Sequence, residues 1–407
     1  LLNIYIKMER LFAKSAFLVE DITTEHVRGL YGQIDWKDRL IGILGARGTG
    51  KTTLLLQRLK MDYDGSYEKA IYISMDDIYF STHTLVDFAE MFRQKGGKIL
   101  FIDEVHKYLH WSREIKNIYD TYKDLQLIFT GSSIIDIHKQ EADLSRRAIF
   151  YELQGLSFRE YLQFIGVAEK LPRYSLDELL DNHMKIALHF TKSFLPLQYF
   201  EAYLGAGYYP FFLENTNTYL IRLEQVARLI VETELRYVDG FDVGNTSKIM
   251  SLLAIMAEQV PFKPNISKLS EKIGLSRNTL LQYLHYLSKA KLISLLEMLG
   301  HSVSILQKPE KIYLENPNLH YALANGQPNI GAQRESFFLN QLRNAGYLVS
   351  LAPKGDFFVE EQYTFEIGGK GKKTTQIKDV DKGFVVADDM EVGAHNKIPL
   401  WLFGFLY

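Results

Sequence analysis

The stretch Leu40-Ile-Gly-Ile-Leu-Gly-Ala-Arg-Gly-Thr-Gly-Lys-Thr52 constrains this chain more than any other. An apolar run of strand character leads straight into Gly45-x-x-x-x-Gly50-Lys51-Thr52, and an apolar-periodic segment over 52–59 follows as a helix. Glycines at these positions let backbone N–H groups turn inward to meet phosphate oxygens, and the helix N-terminus adds the positive end of its dipole. Lys51 then reaches the outer phosphates, and the Thr52 hydroxyl is placed to ligate magnesium. The candidate phosphate contacts are Gly45, Ala46, Arg47, Gly48, Thr49, Gly50, Lys51, Thr52 and the adjoining Thr53.

A loop of this kind needs a sheet around it. Residues 70–74, 98–102 and 125–130 are short runs rich in Ile and Leu, separated by helical-looking segments, as in strands covered on both faces. Lys98-Ile-Leu-Phe-Ile-Asp103-Glu104 ends in two carboxylates, which a buried strand delivers to the same sheet edge as the loop. Asp103 is expected to hold magnesium through water, and Glu104 to polarise an attacking water. Leu127-Ile-Phe-Thr130 ends in Gly131-Ser132-Ser133, where Ser132 is a candidate sensor of a terminal phosphate and a solvated turn is the alternative. Arg146 and Arg147 follow; Arg147 either stabilises transition-state charge, in cis or from a neighbouring subunit, or pairs with a surface acid.

Composition narrows the rest. The 407 residues leave room for two to four domains, and 47% hydrophobic with 24% charged residues excludes a disordered chain. With 47 Lys+Arg against 49 Asp+Glu, no whole-molecule field draws the protein to nucleic acid or membrane. The absence of cysteine removes disulfides, thiolate zinc sites, iron–sulfur clusters and thiol nucleophiles, and suits a cytoplasmic location. No apolar stretch has the length of a membrane span, so no membrane contact is expected, and Ile398 to Tyr407 is expected to form a buried strand. Residues 1–7 have no cleavage-like small-residue site, and Met8 is an alternative start. His106 and His110 have the i, i+4 spacing of a helical metal pair but lack the intervening glutamate of H-E-x-x-H, so a metal there is not expected.

The patterning predicts an α/β core over 39–156 after an N-terminal segment 1–38, then a helical region over 157–260 with long helices at 175–194, 217–237 and 247–259. Pro261 and Pro264 end it. Residues 261–315 hold helix, Gly274 turn, Ser276 cap and second helix, a helix-turn-helix candidate. Its residues 265–311 carry seven basic side chains (268, 272, 277, 289, 291, 308, 311) against three acidic, and Arg277, Asn278, Gln282, Tyr283 and His285 are the candidate nucleic-acid contacts. Protein docking explains that surface equally well. Residues 316–407 read as a small α/β domain with a helix over 332–345 and strands at 347–351, 356–359, 363–367, 383–387 and 400–407.

The succession of the glycine loop, Asp103-Glu104-Val105-His106-Lys107, Thr130-Gly-Ser-Ser133, Ser145-Arg-Arg147 and Leu156-Ser-Phe-Arg-Glu-Tyr-Leu162, with Tyr203-Leu-Gly-Ala-Gly-Tyr-Tyr-Pro210 beyond, resembles the prokaryotic AAA-type ATPases that carry a C-terminal domain of unknown function. The resemblance implies an α/β P-loop NTPase of AAA type with a parallel sheet, followed by a helical lid, a winged helix and a small α/β nuclease-like domain. ATP and Mg2+ are the implied cofactors, and ATP hydrolysis the implied activity. It also sets Glu335, Asp356, Glu366 and Lys370 in the order of a PD-(D/E)xK nuclease. Glu366 and Lys370 are four residues apart rather than two, about 13 Å along a regular strand, so a degenerate, non-cleaving domain is expected. The alternatives to an ATPase are a nucleotide-gated regulator that binds DNA through the winged helix or docks a partner protein, and an ATP-gated nuclease. An oligomer is compatible with each.

Overall fold

The computed structural model describes residues 2–63, 65–133, 144, 146–238, 240–258, 264–299, 308–324 and 326–407. Ser145, Gln259 and Pro261 lie outside them. The chain divides into two units, 1–154 and 155–407.

In the first unit the apolar runs become β1 (Leu40–Gly45), β2 (Ala70–Ser74), β3 (Ile99–Asp103), β4 (Gln126–Ser132) and β5 (Ile149–Glu152). They form a parallel sheet in the order β2-β3-β4-β1-β5. Side chains alternate between two cores: Ile71, Ile73, Leu100, Ile102, Leu127 and Phe129 face one, Ile41, Ile43, Tyr72, Phe101 and Ile128 the other. Both faces are buried, so the strands read as continuous apolar runs. The covering helices are α1 (Leu2–Asp21), α2 (Lys51–Tyr63), α3 (Leu85–Gln94) and α4 (Trp111–Thr121). α1, for which the sequence signalled no element, shields the edge strand: Met8 and Leu11 enter one core, Val19 the other, and Ser15 Oγ accepts the Tyr72 N–H at 3.0 Å.

The second unit begins with helices α5 (Phe158–Phe164), α6 (Leu176–Phe190), α7 (Pro196–Ala206), α8 (Tyr219–Leu229) and α9 (Thr246–Glu258). Ser157 and Ser175 start two of them with capping boxes closed by Glu160 and Glu178. The single helix expected over 217–237 is broken, because α8 widens into a π-turn at Ile230–Glu234. Next come α10 (Ile266–Ile273), Gly274 at φ +69°, and α11 (Arg277–Lys289), whose first turn is capped by Ser276. β6 (Ile293–Leu296) and β7 (Lys311–Leu314) pair antiparallel behind them. Then follow α12 (Pro317–Leu323) and α13 (Ile330–Asn344). A mixed sheet ends the unit: β8 (Val349–Leu351), β9 (Phe357–Val359), β10 (Tyr363–Gly368), β11 (Gly383–Ala387) and β12 (Lys397–Pro399) lie side by side in chain order. The first three are antiparallel, the last three parallel.

The strand expected over 400–407 is not formed. Leu400–Phe405 is a 3-10 turn whose residues are all buried, with Phe403 against Phe338 and Phe405 stacked on Phe190. An unbroken apolar run lacks the alternation that marks a strand and asks only for burial on all sides, which a wound segment provides equally well. No described helix is long and apolar enough to cross a membrane.

Buried polar groups fix the second unit's helices. Asn318 Oδ1 accepts from the Gly207 and Tyr208 N–H groups at 3.0 and 2.8 Å, while its Nδ2 donates to the Tyr203 and Leu204 carbonyls. The end of α7 and the Gly-Tyr-Tyr-Pro segment after it are thus satisfied by one side chain. Close by in sequence, His320 is buried with Nδ1 3.4 Å from Ala257 O and Nε2 2.9 Å from Ser336 Oγ. A carbonyl only accepts, so Nδ1 carries a proton, and in the neutral ring Nε2 accepts from the Ser336 hydroxyl.

Burial pushes the His320 pKa from 6.5 down to about 4. Between those values the unfolded chain binds a proton that the folded one refuses, so stability falls as pH drops through that window. Urea unfolding is expected to lose up to about 3 kcal/mol there through this group, and His320→Gln to lack that component.

Candidate functional site

The parallel sheet brings the loop and the acidic strand to one edge. Gly45 at the end of β1 is in register with Ser132 at the end of β4, and β4 lies between β1 and β3. After β1 the loop passes Gly48 at φ +85° and Gly50 at φ +93°, a left-handed path that favours glycine. Thr49 Oγ1 closes it by donating to Ala46 O at 2.9 Å. Lys51 Nζ bends back over the loop and donates to Gly45 O and Ala46 O at 2.8 and 2.9 Å.

Asp103 joins these parts. Its Oδ2 accepts from Thr52 Oγ1 at 2.6 Å and from the Tyr72 hydroxyl at 2.7 Å; its Oδ1 accepts from Thr130 Oγ1 and from the Glu104 N–H at 3.1 Å. One carboxylate therefore ties α2, β2, β3 and β4 together at the sheet edge. A hydroxyl and a carboxylate in direct contact, both hard oxygen donors, fit Mg2+. Glu104 adopts φ +52°, uncommon for a residue with a Cβ, and its N–H also donates to Thr130 Oγ1 at 3.1 Å. Burial, then the Asp103 charge, raises the Glu104 pKa above the usual carboxylate range, and Arg47 and Lys107 work against that rise.

Of the expected residues, Gly45 to Thr52, Asp103, Glu104 and Ser132 meet at this edge. Thr53 is exposed on the first turn of α2. Arg147 is not there. β5 starts at Ile149, opposite Ile41, so Arg147 precedes the far edge of the sheet, at least about 13 Å from the loop by strand rise. It forms a two-point ion pair with Asp120, at 2.9 Å from both Nε and Nη2. Arg47, on the loop itself, carries charge that acts on Glu104. His106 and His110 fall in different elements, a 3-10 turn and the residue capping α4, so their spacing does not place them on one helix face.

Two residues had no weight in the sequence. Tyr72 is one; the only signal was a polar-tipped aromatic inside an apolar strand. Arg28 is the other: buried, it donates from Nη1 to Thr49 O and from Nη2 to Gln154 O, both at 2.8 Å. The Arg28 segment is itself held by Gln57 of α2, whose amide donates to the Thr23 and His26 carbonyls.

In the second unit, Tyr283 is buried against Phe241, and its hydroxyl accepts from Asp242 N and Asn245 Nδ2, so it faces inward rather than toward nucleic acid. Lys311, counted in the basic surplus, is buried too. Lys370 is exposed and does not join Glu366; Lys372 pairs with Glu366 instead.

Residues 37–162 match the family model described as AAA domain. The first unit carries an AAA-type P-loop domain. Residues 197–329 match a model described as Domain of unknown function (DUF8612), so α13 and the mixed sheet lie beyond both matches. The chain is 27% identical over 409 residues to the uncharacterized protein MJ1637 of Methanocaldococcus jannaschii, covering 91% of this chain and 85% of that protein. Among solved structures, AMPPCP-bound DnaA from Aquifex aeolicus aligns with a TM-score of 0.28 and 17% identity over 67% of this chain and 91% of that one. The S. cerevisiae Hsp104–ADP complex aligns at 0.26 and 15% over 70% of this chain and 42% of that one, so the chain spans less than half of Hsp104. Likenesses at these TM-scores add nothing to the family match.

Arg28→Met leaves the Thr49 carbonyl of the loop and the Gln154 carbonyl at the end of the unit without their charged donor. The first unit is expected to lose about 2–4 kcal/mol in urea unfolding, and the loop amides to exchange hydrogen faster. Unchanged exchange in the loop refutes the anchoring role.

Proposed function

We propose that the chain binds Mg-ATP at residues 45–52, hydrolyses it, and uses binding or turnover to rearrange its second unit. The observation that carries this reading is the Asp103 carboxylate hydrogen-bonded to Thr52 at the start of the loop helix and to Thr130 on the neighbouring strand. That arrangement supports a site built for a phosphate chain with its counter-cation rather than a glycine turn before a helix.

In this account the loop N–H groups of 46–52 surround the phosphates, and Lys51 exchanges the Gly45 and Ala46 carbonyls for phosphate oxygens. Thr52 and Asp103 hold Mg2+, which neutralises charge on the phosphates when bound. Glu104, half-buried and held by its own N–H to Asp103 and Thr130, orients the attacking water. Ser132, level with Gly45, contacts the terminal phosphate. Arg47 supplies positive charge beside Glu104.

The succession α10, α11, β6, β7 supports reading residues 261–315 as a winged helix. With Tyr283 and Lys311 turned inward, its candidate nucleic-acid contacts reduce to Arg277, Asn278, Gln282 and His285. That thin set favours the ATPase over a DNA-binding regulator as the primary activity.

Phosphate release at saturating Mg-ATP tests the proposal. Glu104→Gln is expected to keep nucleotide binding and lose turnover by about 100-fold or more, and Lys51→Ala to lose binding. Two variants that bind and turn over ATP like wild type end the proposal. Because Glu104 must be ionised and its pKa is raised in the nucleotide-free chain, kcat/KM is expected to fall with decreasing pH earlier than an ordinary carboxylate allows. Wild-type binding without turnover, insensitive to duplex DNA, points to a binding-gated switch that docks a protein.

A further inference from the structure

A second group of buried charges lies in the second unit, unrelated to the nucleotide loop. Glu335 on α13, Asp356 just before β9 and Glu366 on β10 are the carboxylates that the sequence ordered like a nuclease. Three acids brought together out of water repel one another and require positive charge. A metal site meets that demand with a divalent cation among the carboxylate oxygens.

Here the positive charge is supplied from within the chain. Lys311, the first residue of β7 and only 6% exposed, donates from Nζ to Glu335 Oε2 at 3.2 Å and to Asp356 Oδ1 at 3.3 Å. The Tyr313 hydroxyl also donates to Glu335 Oε2, at 2.7 Å, and the Ile367 N–H takes Asp356 Oδ2 at 2.9 Å. Lys372 pairs with Glu366, which is 1% exposed. The glycines before it explain how it gets there: Lys372 N–H bonds back to Gly369 O, and its stem lies where a Cβ on Gly368 would stand, 2.7 Å from Cδ. The turn therefore returns Lys372 over the end of β10, while Lys370 points its charge to solvent.

Ammonium, phenol and amide donors thus occupy Glu335 Oε2, both oxygens of Asp356 and Glu366 Oε1. Among the described residues no group of three or more His, Cys, Asp or Glu is arranged to hold a metal ion. A divalent cation must displace two ammonium groups to reach these oxygens, so the residues do not fit one, whereas the donors on Asp103 are neutral hydroxyls and an amide. We infer that Lys311 and Lys372 are the resident cations of this acidic cluster: the end module binds no catalytic metal and cuts no phosphodiester, and the cluster instead fastens β7 to α13 and to the β9–β10 edge. Lys311 sits on a strand outside the end sheet, so the salt-bridged group works as a joint between the two small sheets.

The test is Mn2+ binding by electron paramagnetic resonance on the nucleotide-free full chain, comparing wild type, Asp356→Asn, Lys311→Met and the double variant. Wild type and Asp356→Asn are expected to bind Mn2+ alike, since the nucleotide loop remains in both. Lys311→Met, with folding checked by circular dichroism, is expected to take up additional Mn2+ that Asp356→Asn removes. Wild-type Mn2+ lost on Asp356→Asn, or wild-type cleavage of plasmid DNA lost on Glu366→Gln, overturns the inference. So does a folded Lys311→Met with no added Mn2+. The wild-type comparison needs no altered lysine, so a Lys311→Met chain that fails to fold leaves the inference open to refutation.

Discussion

The first unit depends on one carboxylate. Asp103 ends a fully buried strand, where an unpartnered charge would cost several kcal/mol, and the fold answers with donors from four places: Thr52, Tyr72, Thr130 and the Glu104 N–H. Each donor belongs to a different segment, so satisfying Asp103 sets the positions of the loop helix, the edge strand and the intervening strand together. The left-handed backbone of Glu104 belongs to the same arrangement, since its N–H reaches both Asp103 and Thr130 from that conformation. Arg28 adds a second constraint from outside the sheet, pinning the loop at Thr49 and the last residue of the unit at Gln154. The loop and the point where the chain leaves the unit are therefore held by one guanidinium.

The second unit solves a different problem. It buries large aromatic residues together with amides that have to be paired, and side chains such as Asn318 do so by serving several backbone groups each. Its end module carries charge inside as well, offset by Lys311 and Lys372; Lys311 Nζ lies 5.9 Å from the Tyr313 ring centre and 6.0 Å from that of Phe357. Buried ion pairs of this kind contribute specificity of arrangement more than net stability, because desolvation offsets most of the attraction. That is consistent with a joint that fixes how two small sheets meet.

What could be read in the sequence follows the physical range of each signal. β1 and β2 occur at the residues expected, and β3 and β4 within a residue or two, because double-sided burial leaves a local record in Ile and Leu. The loop was legible because its chemistry is contiguous. The cap at Ser276 acts within one helical turn, and the Gly274 turn is equally local. Arg147 was left open between charge stabilisation and a surface ion pair because adjacency in sequence to a strand says nothing about which end of the sheet it occupies; register sets it away from the loop of its own chain, beside Asp120. The pairings of Tyr72, Arg28 and Lys311 were invisible for a related reason, since their partners stand 31, 21 and 126, and 24 and 45 residues away and no local pattern marks them.

The sequence by itself determined that this chain has a phosphate-binding loop between a strand and a helix, a parallel α/β core around it, and a helical region followed by further helices and strands. Spacing of glycines, apolar runs and caps encodes these because each acts over a few residues. Only the tertiary structure decided which charges meet: that Asp103 faces Thr52 and Thr130, that Arg147 lies at the opposite edge, and that the carboxylates of the end module are closed by Lys311 and Lys372. Electrostatic partners are chosen by where the backbone places them in a low-dielectric interior, and that placement is set by the packing of the whole unit.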